Sequence, residues 1–349
     1  MNMTFHSVKR HQQGFSLPEI MVGMVIGLLG IIIIMQVTSM FEGQKRTTAS
    51  GDDAQNGGAI ALFTAQRDIT QAGYGIISTN LVGKTLVTPF LTLNTLTPVV
   101  INPAQLNAVK DAETDAFIVI YGNSNTTPEG ALITNSLPAP YSVIGGAAAS
   151  DVAGTGGHSF LNGDWVTPDD GAGNGGAPNT HYLYVASGVD GLTVPATIPA
   201  SSSQTYISPL ATLQDTPNGP HPVLYTLGSS PAILAYAVRN GSLSLCNYLT
   251  QDCASNASTW TQLTGGIVNM RVQCVGLTAL RVAVVARNSQ IAPTQVSTSV
   301  PTWNPNGISA PVATTPTTSW GSNWDHYRYK TFETIVPMRN AIWTGVHGC

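Results

Sequence analysis

The spacing of apolar and polar positions divides the chain into three regimes. Ile20 to Met35 is a run of sixteen residues with neither a charged nor an amide side chain. With Phe15–Leu17 ahead of it and Val37–Phe41 behind, it makes a helix long enough to cross a bilayer, for which about 20 residues suffice. From Gln44 to Ala72 the apolar positions Ala49, Ala54, Ile60, Ala61, Leu62, Phe63, Ala65, Ile69 and Ala72 interleave with Lys45, Arg46, Arg67 and Asp68. That spacing predicts continuation of the same helix, with Ile60, Phe63 and Ile69 on a shared stripe and the charges on other faces. Ser50-Gly51-Asp52-Asp53 and Gly57-Gly58 weaken it, at about 1 kcal/mol per glycine, and mark where a break would fall. Gly73-Tyr74-Gly75 should end the helix, because glycine accepts the left-handed stop.

The third regime is strands. Leu91–Ile101 alternates loosely around Pro98. Asp115–Tyr121 is rich in β-branched and aromatic residues, and His181–Ala186 is a further short strand. Gly122–Thr180 is rich in Gly, Ala, Asn and Asp and is expected to be loop, with one short strand at Trp165-Val166. Ala232–Val238 and Ser242–Leu249 flank Asn240-Gly241, which supplies the positive dihedrals of a type I′ hairpin turn. Ile267–Val275, Leu280–Ala286 and Tyr329–Val336 complete the strands, and Pro293–Trp324 is expected to be a surface loop. One long helix followed by mostly antiparallel strands is an α+β order, in which the outer half of the helix covers the apolar face of the sheet.

Within the apolar segment one residue is out of place. Glu19 is a carboxylate at the start of a membrane-length helix, where mid-membrane burial would cost roughly 2.5–3.5 kcal/mol. Either it reaches the headgroups, or it meets a positive partner. Ahead of it, Met1–Gly14 carries Lys9 and Arg10, which orient the segment with the leader in the cytoplasm. The residues after the run, Gln36–Glu42, make a poor site for a secretory signal peptidase.

Gly14-Phe15-Ser16-Leu17-Pro18-Glu19 resembles the type III leader of type IV prepilins and pseudopilins. The resemblance implies cleavage between Gly14 and Phe15 by a prepilin peptidase, N-methylation of Phe15, and a Glu19 that becomes the fifth residue of the mature chain. The new ammonium on Phe15 is the kind of partner Glu19 needs, and in the family the pair forms between neighbouring subunits. Pro18 departs from the usual aliphatic residue, which the first turn of a helix tolerates. The implied divisions are 1–14, a removed leader; 15–41, the transmembrane and filament-core half of the helix; 42–75, its outer half; and 76–349, a β-rich domain outside the cytoplasm. Gly23 and Gly27 form a G-x-x-x-G pair that lets helices approach closely in lipid, although small residues are common in membrane helices in any case.

Arg67–Gly75, Leu280–Arg287 and Thr331–Asn340 are similar to segments of the PilW family of minor pilins, whereas Gly122–Pro231 carries no such likeness. That resemblance implies a type IV pilin fold and a structural, non-enzymatic role: starting pilus assembly at or near the tip. The implied partners are other minor pilins, the major pilin and a tip adhesin. The implied location is the inner membrane, then the pilus on the cell surface. Two other readings are a minor pseudopilin of a type II secretion system and a membrane-anchored periplasmic enzyme or metal-binding protein.

Composition bears on the last of these. Charged residues are 9% of the chain, against roughly 25% in ordinary soluble proteins. Losing the leader's two positive charges takes the formal net charge from −4 to −6, which disfavours a nucleic-acid partner. Cys246, Cys253, Cys274 and Cys349 form an even set on the exported side, with three ways to pair. Cys246–Cys253 and Cys274–Cys349 are favoured; zinc would want closer ligand pairs. Gly171, Gly173 and Gly176 satisfy G-x-G-x-x-G without the strand and helix a dinucleotide site needs. Asp164, Asp169, Asp170 and Asn174 offer oxygens to calcium, but not at EF-hand spacing. His158, His181, His221 and His326 are scattered, no nucleophile elbow is present, and no cofactor or metal is expected. Trp303, Trp320, Trp324 and Tyr327 are either loop anchors or a contact patch.

Overall fold

Helix α1 runs unbroken from Leu17 to Gln71, 55 residues. The computed structural model describes residues 14, 16–76, 78, 81–124, 130–135, 141–143, 160–169, 180–189, 193–200, 202–205, 222–255, 260–314 and 320–349. The chain divides into two units, one through Asp52 and one of Asp53–Cys349, with α1 contributing to both.

The glycine-bearing stretch does not break the helix. In the second unit, Gly57 and Gly58 face strands so closely that a Cβ on Gly58 would lie 2.2 Å from the Phe332 ring, and one on Gly57 3.1 Å from the Gly265 carbonyl oxygen. Their poor helix propensity is offset by this close approach. The buried stripe is accordingly mostly small residues, Ala54, Ala61, Ala65 and Ala72, with Ile69 its one large side chain. This corrects the expected stripe: Ile60 and Phe63 are exposed, because Ile69 lies nine residues, and so half a rotation, from Ile60. Asp68, expected on a polar face, is fully buried. Past Gln71 the chain turns with Gly73 at φ 88° and Gly75 at φ 80°, and the Gly73 amide donates to the Ile120 carbonyl at 2.8 Å.

Strands β1 (Val99–Ile101), β2 (Ala116–Tyr121), β3 (Ala232–Arg239), β4 (Ser242–Asn247) and β5 (Thr261–Gly265) form an antiparallel sheet in the order β5-β4-β3-β2-β1. Asn240 (φ 51°) and Gly241 (φ 69°) make the β3–β4 turn, whose two amides donate to the carboxylate of Asp111. Strands β6 (Ile267–Val275), β7 (Ala279–Arg287) and β8 (Tyr329–Pro337) form a second antiparallel sheet in that order. One core joins Ala61, Ala65 and Ile69 of α1 to Phe117, Val119, Tyr236, Val238, Met270, Leu280, Val282, Val284 and Val336. The alternate residues of the first sheet, among them Ile118, Ile120, Ile233 and Ala235, form a second core with Ile76, Leu81, Leu86 and Leu96. Both faces of that sheet are therefore buried, which is why Ala116–Tyr121 has a nearly continuous apolar run.

Three corrections follow from packing outside these sheets. The middle of the chain holds strands Ala131–Asn135, Tyr141–Val143, Trp165–Asp169 and Val223–Gly228, which join Tyr184–Ala186, Thr193–Val194 and Ala196–Thr197 in one seven-stranded sheet. His181–Ala186 splits at Leu183 between two sheets, with Thr180–Tyr182 parallel to Thr85–Val87. The loop over 293–324 is not all surface: Val312, Ala313 and Trp320 are buried against Val268 and Val285 on the back of the second sheet. A short helix α2, Arg339–Thr344, follows β8.

Candidate functional site

The N-terminal segment carries the residues expected to act in processing and assembly. Gly14 is exposed, Phe15 lies outside the described residues, and α1 begins at Leu17 with Pro18 and Glu19 in its first turn. Glu19 is held in helix by its amide, which donates to the Ser16 carbonyl at 3.0 Å. Leu17–Lys45 is long and apolar enough to cross a membrane, and none of its most apolar window is buried. A Cβ added at Gly23 or Gly27 would meet nothing within 4 Å. A helix that is apolar all round and uncovered needs lipid or other helices around it.

The outer end of α1 is tied down by a buried carboxylate. Tyr121 donates its phenol hydrogen to Asp68 Oδ1 at 3.2 Å, and Tyr236 donates to Oδ2. The exposed guanidinium of Arg67 pairs with the same carboxylate, Nε to Oδ1 2.9 Å. Phe117 stacks on Tyr236 with ring centroids 4.9 Å apart, fixing the donor. Burial first, and the neighbouring carboxylate second, push the Tyr121 phenol up to about 12 and push Tyr236 up as well. The hydrogen bond and charge of Asp68 raise the Arg67 guanidinium. Asp68 shares the helical face of Ala61, Ala65 and Ala72, at spacings of seven, three and four. That phase was the available signal for its burial.

The C-terminus is pinned to the same end of the helix. Asn340 of α2 donates through Nδ2 to the carbonyls of Gln71 (3.0 Å) and Ala72 (3.1 Å), occupying acceptors the helix end leaves open. Cys274 is bonded to Cys349, and Cys246 to Cys253, the two favoured pairings, so no cysteine is left to a metal. Trp343 on α2 is 89% exposed. Trp320 is an anchor: its indole donates to the Val268 carbonyl at 3.0 Å and its ring stacks on Tyr329.

A second buried polar cluster joins three segments distant in sequence. Lys84 Nζ lies 3.3 Å from Asp169 Oδ1, and His181 Nε2 lies 3.7 Å from the same oxygen, all three side chains being at least nine-tenths buried. His181 Nδ1 is 3.2 Å from the Pro168 carbonyl oxygen. Asp164 instead caps a turn, accepting from the Leu161 amide at 2.9 Å. The two described carboxylates of the calcium alternative are thus engaged separately; Asp170, Asn174 and Gly171, Gly173 and Gly176 lie outside the described residues, as do His158 and His221. His326 Nδ1 faces the Ala292 carbonyl at 2.8 Å. Among the described residues no group of three or more His, Cys, Asp or Glu side chains is placed to hold a metal ion.

The family model for the prokaryotic N-terminal methylation motif matches residues 9–35. No curated protein and no solved structure matches the chain. The matched stretch contains Gly14, Phe15, Glu19, Gly23 and Gly27 and the first half of the membrane-length helix. A methylation leader, an apolar N-terminal helix and an α+β arrangement together support a type IV pilin-like protein, one anchored in a membrane and processed by a prepilin peptidase.

Proposed function

We propose that this chain is a minor pilin resembling the PilW family, which helps start type IV pilus assembly and sits at or near the pilus tip. The observation that carries the reading is one helix that begins at the leader motif and ends inside a sheet core. The three PilW-like segments also converge there: Ile69 and Ala72, then Leu280, Val282, Val284 and Ala286, and Val336 with Met338 all contribute to one cluster. In this reading Gly14 is the cleavage site and the methylated amine of Phe15 pairs with Glu19 of a neighbour. Residues 15–41 leave the inner membrane to become filament core, with Gly23 and Gly27 at helix contacts. Residues 42–75 and 76–349 lie on the outer side of that membrane and later at the cell surface. The exposed side chains of Phe63 and Trp343 suit contacts with other minor pilins, the major pilin or a tip adhesin. The role is structural rather than catalytic.

Deletion followed by complementation tests this. Loss of the chain should abolish or greatly reduce surface pili, wild type should restore them, and Glu19→Ala should be cleaved yet fail to restore them. The mature protein should begin at N-methyl-Phe15 by mass spectrometry; an intact Met1 terminus would sink the pilin reading. Normal piliation together with lost protein secretion would favour the pseudopilin reading, which shares the leader and helix.

A further inference from the structure

The geometry points to an intramolecular isopeptide bond between Lys84 and Asp169, formed by the folded chain itself with His181 as the proton carrier. The inference is independent of which machinery the chain serves. Its ground is a lysine and an aspartate held in contact in the interior, Nζ to Oδ1 3.3 Å, with an imidazole nitrogen 3.7 Å from the same oxygen. As a plain ion pair the arrangement is poorly satisfied. Among the described residues Asp169 Oδ2 accepts no hydrogen bond although it is buried, and the buried Thr167 hydroxyl on the same strand face has no partner either. A buried carboxylate needs its remaining lone pairs met.

Passing one proton from the ammonium to the carboxylate gives a neutral amine facing a carboxylic acid. The Nζ lone pair then attacks Cγ of Asp169, a C–N bond forms, and one C–O bond breaks. Of the three ammonium hydrogens one stays on the amide nitrogen and two leave with the departing oxygen as water, so no oxidant or other reactant is needed. With Nδ1–H donating to the Pro168 carbonyl, His181 Nε2 carries the lone pair that takes a proton from the attacking nitrogen and returns it to the leaving oxygen. Condensation is unfavourable between dilute partners in water. Two groups fixed in contact act at effective concentrations of about 10⁵–10⁸ M, and the dry site releases the product water. The bond ties the segment leading into Thr85–Val87 to the end of strand Trp165–Asp169, 85 residues away.

Mass spectrometry of the full mature chain, purified in detergent and reduced, is the test. The expected mass is one water below that of the processed sequence. Digestion should leave the Lys84 bond uncut by trypsin and yield a branched peptide joining the Lys84 and Asp169 segments. Full mass with normal tryptic cleavage at Lys84 overturns the proposal. Lys84→Arg and Asp169→Ala should each return to full mass; persistence of the loss in either would overturn the assignment. Because those variants also disturb a buried pair, His181→Ala gives a kinetic readout. It should slow bond formation about 100-fold or more, the scale of a lost acid–base group, and linkage at the wild-type rate would remove His181 from the step.

Discussion

The phenol of Tyr236 donates to the fully buried carboxylate of Asp68, across 168 residues of chain. This joins α1 to the central strand of the first sheet, beside the apolar contacts of Ile69 with the same core. Tyr236→Phe removes a hydrogen bond to a charged acceptor in the interior and should cost about 1.5–3 kcal/mol of unfolding free energy. Tyr121→Phe should cost less, since that phenol is only half-buried. Arg67→Ala should cost under about 1 kcal/mol, because its side chain is 60% exposed and the pair is screened by solvent. Denaturant melts of the mature chain in detergent check the order; equal losses at Arg67 and Tyr236 would show that charge, not the buried donor, fixes the helix.

The same two phenols make stability depend on pH at the alkaline end. In the unfolded chain they ionise near 10, whereas folded Tyr121 is pushed up to about 12 and Tyr236 is pushed up too, by burial first and Asp68 second. The folded state therefore holds protons that the unfolded state has released. Their stabilisation is whole below pH 10, falls as pH rises above it, and is lost as each phenol passes its folded value. Linkage limits the slope to about 1.4 kcal/mol per pH unit for each phenol. Unfolding free energies at pH 9, 10 and 11 should fall chiefly between pH 10 and 11, and less steeply in Tyr121→Phe. A flat profile would mean that these phenols ionise alike in both states.

Much of this architecture is legible in the residues because local chemistry decides it. The Ile20–Met35 run, the Asn240-Gly241 turn and the β-branched strands around Ile267–Ala286 each specify their own conformation, and the leader motif is contiguous. What escaped is non-local. Large apolar side chains suggested the stripe Ile60, Phe63 and Ile69, but a helix pressed onto strands selects small residues such as Gly58 and Ala61, leaving Phe63 72% exposed. Lys84, Asp169 and His181 come from three segments and no spacing links them. The strands within Gly122–Pro231 are only two to six residues long and lie between Gly- and Asn-rich stretches, and sheet pairing rather than propensity makes them strands.

Two glycines of one helix should respond in opposite senses to substitution. At Gly51 an added Cβ meets nothing within 4 Å, so Gly51→Ala should stabilise α1 by up to about 1 kcal/mol through helix propensity alone. At Gly58 the added carbon would sit 2.2 Å from Cε2 of Phe332. Gly58→Val should therefore cost about 1–3 kcal/mol from overpacking, and Phe332→Ala in the same chain should recover part of the loss. Additive losses in the double variant would show that the two residues do not clash.

The two disulfides close loops of different size, and their removal should be felt unequally. Cys274 and Cys349 are 75 residues apart, Cys246 and Cys253 only seven. In the chain-entropy view the long loop contributes about 4.5 kcal/mol and the short one about 2.4 kcal/mol. The long bridge also holds the tail whose Gly348 carbonyl accepts from the Val99 amide at 2.8 Å, so its loss frees an edge of the first sheet. Cys274→Ser with Cys349→Ser should lower the denaturation midpoint more than Cys246→Ser with Cys253→Ser, and should speed hydrogen exchange at the Val99 amide. Protection at Val99 unchanged in the first variant would place the tail's anchorage elsewhere, in the Asn340 contacts with the end of α1.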